Sequence, residues 1–368
     1  MSARVDLAAA SDSEGATALL SFYVSRDETF VFWLDADSAV PEVVRVSVGQ
    51  AELEQAAAVM GRLFAPERIN YRRPHYTADM SWLEPLGQRL LNPVAERLES
   101  CGRLVIAPHG ELHALPLHML APTGGAPLGT THSVAYVANL SLYALLIGRH
   151  VAGKREVAEL PSLCLATAAH EDPAMVHESF ALTPRSYAER TGGLFLQGCD
   201  ATPQALKRYA EETDSVYLSC HGCFNDQDSL KSALLLSDGR RLPSKTEANG
   251  WLHELSVRDI LGTRIRARLV ILDACMSGIQ HFSPGDEPMG FPTSFLLAGA
   301  EAVIASNWVV EQNCARAFML ALQDHWAGGP VTLGEAMRHA YTAIRAEHPH
   351  PFHWAPFSLF GNDRLTFY

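Results

Sequence analysis

The sequence predicts an α/β fold, with a mostly parallel sheet flanked by helices and an antiparallel run of strands ahead of it. Three observations carry that prediction. Short apolar segments alternate with stretches of helical spacing through the second half of the 368-residue chain, the order of a doubly wound sheet. Several of these segments close on glycine-containing turns, as strands buried in a parallel sheet do. Near the N-terminus, three strand-like segments follow one another across polar turns, the form of a meander.

Taken in order, residues 1–12 are small and polar and read as a loose tail. Strands are expected at 18–24, 29–34 and 43–48, then helices at 50–64 and 82–99 around an Arg/Pro/Tyr-rich loop at 66–78. Leu104-Val-Ile-Ala is a short buried strand that runs into Pro108-His-Gly-Glu-Leu-His-Ala-Leu-Pro116. A second round opens near residue 160, with a strand at 163–167, a helix at 174–190 and a strand at 193–197. A helix over 203–212 follows, with Thr202 as its cap and Pro203 at its first position. Further strands are expected at 214–220, 233–237, 268–273 and 302–306, and helices around 293–297 and within 311–326 and 332–347. No short-period repeat or low-complexity tract is present, which argues against a solenoid.

Composition narrows the function. Apolar residues make up 48% and charged residues 19%, so a substantial core is expected and global disorder is not. A net charge of −12 argues against a general nucleic-acid surface, which needs clustered Lys and Arg. Seven cysteines without a regular framework fit reduced thiols in a cytoplasmic protein. The N-terminus lacks the order of a signal peptide, and the longest apolar stretch, 295–310, holds Glu301 and Asn307 and falls short of a span. No membrane association is expected.

The chemistry concentrates on two strand ends. One apolar run closes on Cys220-His221-Gly222, the other on Asp273-Ala-Cys275-Met-Ser-Gly278, with the histidine 54 positions before the cysteine. Open parallel sheets place their chemistry beyond the carboxyl ends of the strands. An imidazole and a thiol presented at one edge suit a cysteine nucleophile, whose thiolate needs a nearby base. Taken alone, Cys275 could instead be a buried core thiol and His221 a satisfied core histidine. Asp273, at a strand end, must meet either a backbone donor or a substrate cation, because a buried carboxylate without a partner is costly. Cys220 and Cys223 have CxxC spacing; a zinc site there would need further ligands such as Cys199 or His281 and would occupy His221, so no metal is expected. Cys220 reads as core and Cys223 as flanking the site. Asp286 and Glu287 fall in a glycine-containing loop at 277–292 that either shapes a substrate groove or is a solvated acidic loop. His109, His113 and His118 read as packing or surface residues.

Eight motifs in order resemble the CHAT domain, a caspase-like cysteine protease family related to separase, metacaspases and gingipains. They are the 104–116 segment, Cys199-Asp-Ala-Thr202, Ser219-Cys-His-Gly222, Leu272-Asp-Ala-Cys-Met-Ser-Gly278, Gly285-Asp-Glu-Pro-Met-Gly290, Phe295-Leu-Leu-Ala-Gly-Ala300, Val303-Ile-Ala-Ser-Asn-Trp308 and His353-Trp-Ala-Pro-Phe-Ser-Leu-Phe-Gly-Asn362. The resemblance covers residues 100–368 and implies a caspase-like sheet whose inactive first half, with its lead-in (1–155), packs on a catalytic half (156–368). The His–Cys spacing is close to that of caspases. The resemblance makes Cys275 the nucleophile and His221 the acid–base group. Gly222 and Cys275 N–H groups are candidates for the oxyanion hole. It also makes Asp273 a substrate-binding residue for a basic P1 side chain (the residue whose carbonyl is attacked), although relatives also accept leucine there. The implied function is a bacterial cytoplasmic cysteine endopeptidase cleaving a partner protein, such as a gasdermin-like effector, in antiphage defence or regulated cell death, without a cofactor. A silent caspase-like scaffold and a thioester-forming acyl hydrolase are the alternatives. The chain departs from many relatives in lacking tetratricopeptide repeats and a recognisable nucleotide-sensing domain.

Overall fold

The computed structural model describes residues 16–38, 40–64, 78–152, 160–167, 173–225, 227–239, 252–283, 286–327 and 330–366. The expected tail at 1–12 and nearly all of the expected loop at 66–78 lie outside these residues. The chain opens on an antiparallel meander of β1 (Ala16–Val24), β2 (Thr29–Leu34) and β3 (Glu42–Val46). β4 (Cys101–Ala107) pairs parallel with β1, and β5 (Ser133–Tyr136) parallel with β4. The second round supplies β6 (Leu160–Ala166), β7 (Leu194–Gln197) and β8 (Thr213–Ser219). A small antiparallel sheet of β9 (His221–Cys223), β10 (Ala233–Ser237) and β11 (Leu252–Ser256) follows. Next come β12 (Leu269–Asp273), a hairpin of β13 (Gln280–Ser283) and β14 (Glu287–Gly290), β15 (Ala302–Ser306) and β16 (Phe357–Gly361).

Eleven of these strands form one sheet in the order β3-β2-β1-β4-β5-β16-β15-β12-β8-β6-β7. The pairing is parallel through β15, β12, β8, β6 and β7 and antiparallel at β15–β16 and within β1–β3. The mostly parallel α/β class read from the sequence is therefore present, with β16 antiparallel to β15 and parallel to β5.

Alternation sends side chains to opposite faces of the sheet. Tyr217 and Ile271 pack with the helices Pro173–Thr191 and Gln312–Ala327 on one face. Leu218, Val270 and Leu272 pack with Pro203–Tyr209, Val257–Leu261 and Phe291–Ala298 on the other. Val270, Ile271 and Leu272 are fully buried, each contributing about 1.5–3 kcal/mol. Local signals set the crossover helices. Thr202 accepts from Ala205 N–H with Pro203 behind it, and Ser256 and Asp259 form a reciprocal capping box.

The expected helix at 82–99 is interrupted. Leu83–Leu91 gives way to a 3₁₀ turn at Asn92–Val94 before Ala95–Leu98, because Pro93 has no N–H to continue the ladder. Pro184, by contrast, sits inside the helix Pro173–Thr191. The stretch expected as a loop at 277–292 carries the β13–β14 hairpin.

Candidate active site

β8 and β12 are neighbours in register, with Ser219 opposite Asp273. Their carboxyl ends therefore reach the same edge, and His221 and Cys275 follow each end by two residues. His221 is held by the small sheet, opposite Leu235 of β10. His221, Cys275 and Asp273 line one cavity of about 420 Å³, which Thr183, Val310, Gln312, Arg316 and Phe357 close from the flanking helices and β16. The cavity lies on the sheet face covered by Pro173–Thr191 and Gln312–Ala327. All of the sequence-predicted site residues are brought to this edge, and Cys275, His221 and Asp273 are each half-buried.

The cysteine turn is fixed by backbone contacts. Gly278 N–H donates to Ser306 O at 2.7 Å, Ser277 N–H to Ala274 O at 3.3 Å, and Ser306 N–H to the Ser277 hydroxyl at 3.1 Å. Met276, directly after Cys275, has φ of +59°, a left-handed conformation that costs a non-glycine residue about 1–3 kcal/mol. A Cβ on Gly278 would meet Asn307 Oδ1 at 2.8 Å, and one on Gly222 would meet Cys275 O at 2.5 Å. Gly222 is thus required for the histidine strand to pass against the cysteine peptide, the close approach that the HG turn anticipated.

Burial pushes the Cys275 thiol above its ordinary value, and the Asp273 carboxylate adds to that, while the Val310 N–H works toward the thiolate. Burial also pushes the Asp273 carboxyl up to about 6, against the hydrogen bond from Tyr217. The Tyr217 hydroxyl donates to Asp273 Oδ2 at 3.2 Å. The partner of the carboxylate is thus a side-chain hydroxyl rather than the backbone donor expected, and Asp273 also lines the cavity. A carboxylate that gains from a counter-charge, a thiol and an imidazole around one crevice can accept a basic side chain and present a carbonyl to sulfur.

The remaining candidates sort differently. Cys220 is 1% exposed and belongs to the core, and Cys223 is exposed. Among the described residues no group of three or more His, Cys, Asp or Glu side chains could hold a metal ion. His118 is buried between Tyr136 and the Ala355 carbonyl, and His109 Nδ1 accepts from Val24 N–H. Asp286 is not a solvated loop acid. It accepts from Gly110 N–H at 2.8 Å and lies 3.2 Å from His113 Nε2. His281 of the same hairpin donates to Asn225 O at 2.7 Å and stacks on Phe224. The hairpin is thereby fastened both to the 104–116 segment and to the loop after His221. Tyr217, Met276 and Val310 are the site residues that sequence reasoning missed. For Tyr217 the strand alternation was a usable signal, since it points to the same face as Ser219.

Comparison with known proteins follows this geometry. The CHAT domain model matches residues 81–362. Saccharomyces cerevisiae separase, solved with securin, superposes with a TM-score of 0.62 at 11% identity, covering 98% of this chain and 31% of that one. The Arg-specific cysteine proteinase gingipain R gives 0.49 at 12% identity, over 78% of this chain and 68% of that one. Mouse tetratricopeptide repeat protein 28 is 29% identical over 112 residues, which is 30% of this chain and 4% of that protein. The chain spans only about a third of the separase chain and a small part of the repeat protein. The likeness to separase establishes the caspase-like α/β fold, and by the extent of the family match the chain belongs to the CHAT domain family.

Proposed function

We propose that the protein is a cysteine endopeptidase that cleaves a partner protein after a basic residue. The observation that carries this reading is the single cavity shared by His221, Cys275 and Asp273 at the joined ends of β8 and β12. Cys275 Sγ attacks the scissile carbonyl carbon, and its proton passes to His221 as the carbonyl oxygen becomes an oxyanion. The N–H groups of Gly222 and Cys275 receive that charge. His221 then protonates the leaving amine, which departs as the thioester forms. Water, deprotonated by His221, releases the acid and regenerates the thiol. Asp273 takes the guanidinium or ammonium of the P1 side chain, with Tyr217 holding the carboxylate in place.

In this reading residues 1–155 form the non-catalytic half and 156–368 the catalytic half. The protein acts in the bacterial cytoplasm, and its substrate is a gasdermin-like or other effector of antiphage defence or cell death. No helix among the described residues is long and apolar enough to cross a membrane.

The test is cleavage of a fluorogenic peptide library by the wild type, Cys275→Ala and His221→Ala. Cleavage after Arg or Lys, lost in both variants, is the expected result. Turnover of acyl thioesters without peptide cleavage would replace the protease with an acyl hydrolase. Partner binding without turnover of either would leave a scaffold, and a fully active Cys275→Ala would end the proposal.

A further inference from the structure

The same cavity carries a second charge, opposite in sign to Asp273. Arg316 lines it from the helix Gln312–Ala327 and is exposed to solvent. Its hydrogen-bond partner is the Asn313 side-chain oxygen, 3.3 Å away, and no carboxylate of a described residue forms an ion pair with it. Glu311, the nearest acid in sequence, is committed elsewhere, accepting from Cys314 N–H and Asn313. An arginine near a helix N-terminus gains nothing from the helix dipole, whose positive end lies beside it. In a chain with 41 acidic and 29 basic side chains, Arg316 is thus a cavity-lining cation that no described carboxylate neutralises, available to a carboxylate that binds there.

We infer that Arg316 is a specificity-determining residue that pairs with an acidic side chain flanking the cleavage site. The inference rests on the proposed protease reading. The cavity is then bipolar, with the half-buried Asp273 and the solvent-exposed Arg316 both on its lining. A basic P1 residue enters toward Asp273 while its neighbours pass Arg316. Extended residues advance about 3.3 Å each, and an arginine reaches several ångströms, so the acid falls within two residues of P1 on either side. The substrate class is thus a segment in which a basic residue and an acidic one stand close together.

The experiment uses the whole protein and peptides with Arg at P1, carrying Glu, Ala or Lys in turn at each of the two positions on either side. Wild type should favour Glu over Ala by about fivefold in kcat/KM at one of these positions, the value of a single solvent-facing charge pair, and disfavour Lys. The preference should shrink in 1 M salt, where the screening length is about threefold shorter than at 0.1 M. Arg316→Ala should erase it, and Arg316→Glu should invert it toward Lys. An unchanged ranking in both variants, or a wild type indifferent to flanking charge while cleaving after Arg, overturns the inference alone. A wild type that cleaves no peptide overturns the protease reading and this inference together.

Discussion

The Tyr217 hydroxyl donates to the Asp273 carboxylate across 3.2 Å, from the strand paired directly beside it. That contact steadies a half-buried acid which burial nevertheless pushes up to about 6. With the native value above the ordinary 3.8 of the unfolded chain, the native state binds more protons than the unfolded state between pH 4 and 6. The associated stability is present in full below about pH 4 and is lost as pH rises through about 6. Asp273→Asn keeps an acceptor for Tyr217 without the charge. It should therefore raise stability by about 1–3 kcal/mol at pH 8 and leave it nearly unchanged at pH 4. Cleavage after Arg should meanwhile fall at least about 100-fold. Thermal melts at the two pH values and kcat/KM for Arg and Leu peptides check both halves. A variant that still prefers Arg would remove Asp273 from substrate binding.

In the wild type, kcat/KM for Arg peptides should decline as pH falls through about 6, where the free enzyme's Asp273 takes up its proton. Tyr217→Phe removes a hydrogen bond to the charged form. The acid limb should move to higher pH, at a stability loss of about 1 kcal/mol. An acid limb at the same pH in both proteins would assign that limb to another group.

Gly222→Ala would place a methyl group 2.5 Å from Cys275 O, where neither backbone can yield easily. Displacing the cysteine turn by a fraction of an ångström should lower kcat/KM about 100-fold. The stability loss should stay within about 1–3 kcal/mol. Kinetics with denaturant titration separate the two effects, and near wild-type rates would show that the two turns do not need this contact.

The placement of His221 and Cys275 at one sheet edge was legible because their signals are local: an apolar run, then a glycine turn. The partnership of Tyr217 and Asp273 was not, since it depends on strand register between residues 56 positions apart. β5, the helix Leu140–Ala152, β11 and β16 went unread for a related reason. β16 is five residues long, and its place between β15 and β5, antiparallel to one and parallel to the other, depends on partners distant in sequence. The hairpin after the cysteine is held by contacts to Gly110, His113 and Asn225, none of which neighbours it in sequence.

Asp286 joins that hairpin to the first half of the chain. Burial opposes its charge, but His113, the Gly110 N–H and the nearby His109 outweigh burial and hold the carboxyl below its ordinary value. The contact is present above the ordinary carboxylate range and is lost as pH falls below it. Asp286→Ala leaves His113 and the Gly110 N–H without this acceptor, a loss of about 1–3 kcal/mol. Hydrogen exchange of the hairpin amides should accelerate, and kcat/KM should fall, because His281 of the same hairpin braces the loop after His221. Unchanged exchange with unchanged kinetics would make the tether incidental to the site.

Arg103 of β4 and Asp363, just past β16, form an ion pair at 3.1 Å with both side chains fully buried. Tyr143 donates its hydroxyl to the same carboxylate at 3.3 Å, and Gly334 N–H donates to the Asp363 carbonyl. The pair therefore pins the end of the chain, and the start of the helix Leu333–Glu347, to the first half of the sheet. Removing one member strands the other charge away from water, which costs more than the pair itself contributes. Arg103→Met should destabilise the fold by about 3–5 kcal/mol, whereas Arg103→Met with Asp363→Leu should recover most of that loss. Urea unfolding of the three proteins decides it. A single variant within about 1 kcal/mol of wild type would mean that water or neighbouring groups already compensate Asp363. A double variant as unstable as the single one would mean that packing, rather than the stranded charge, sets the loss.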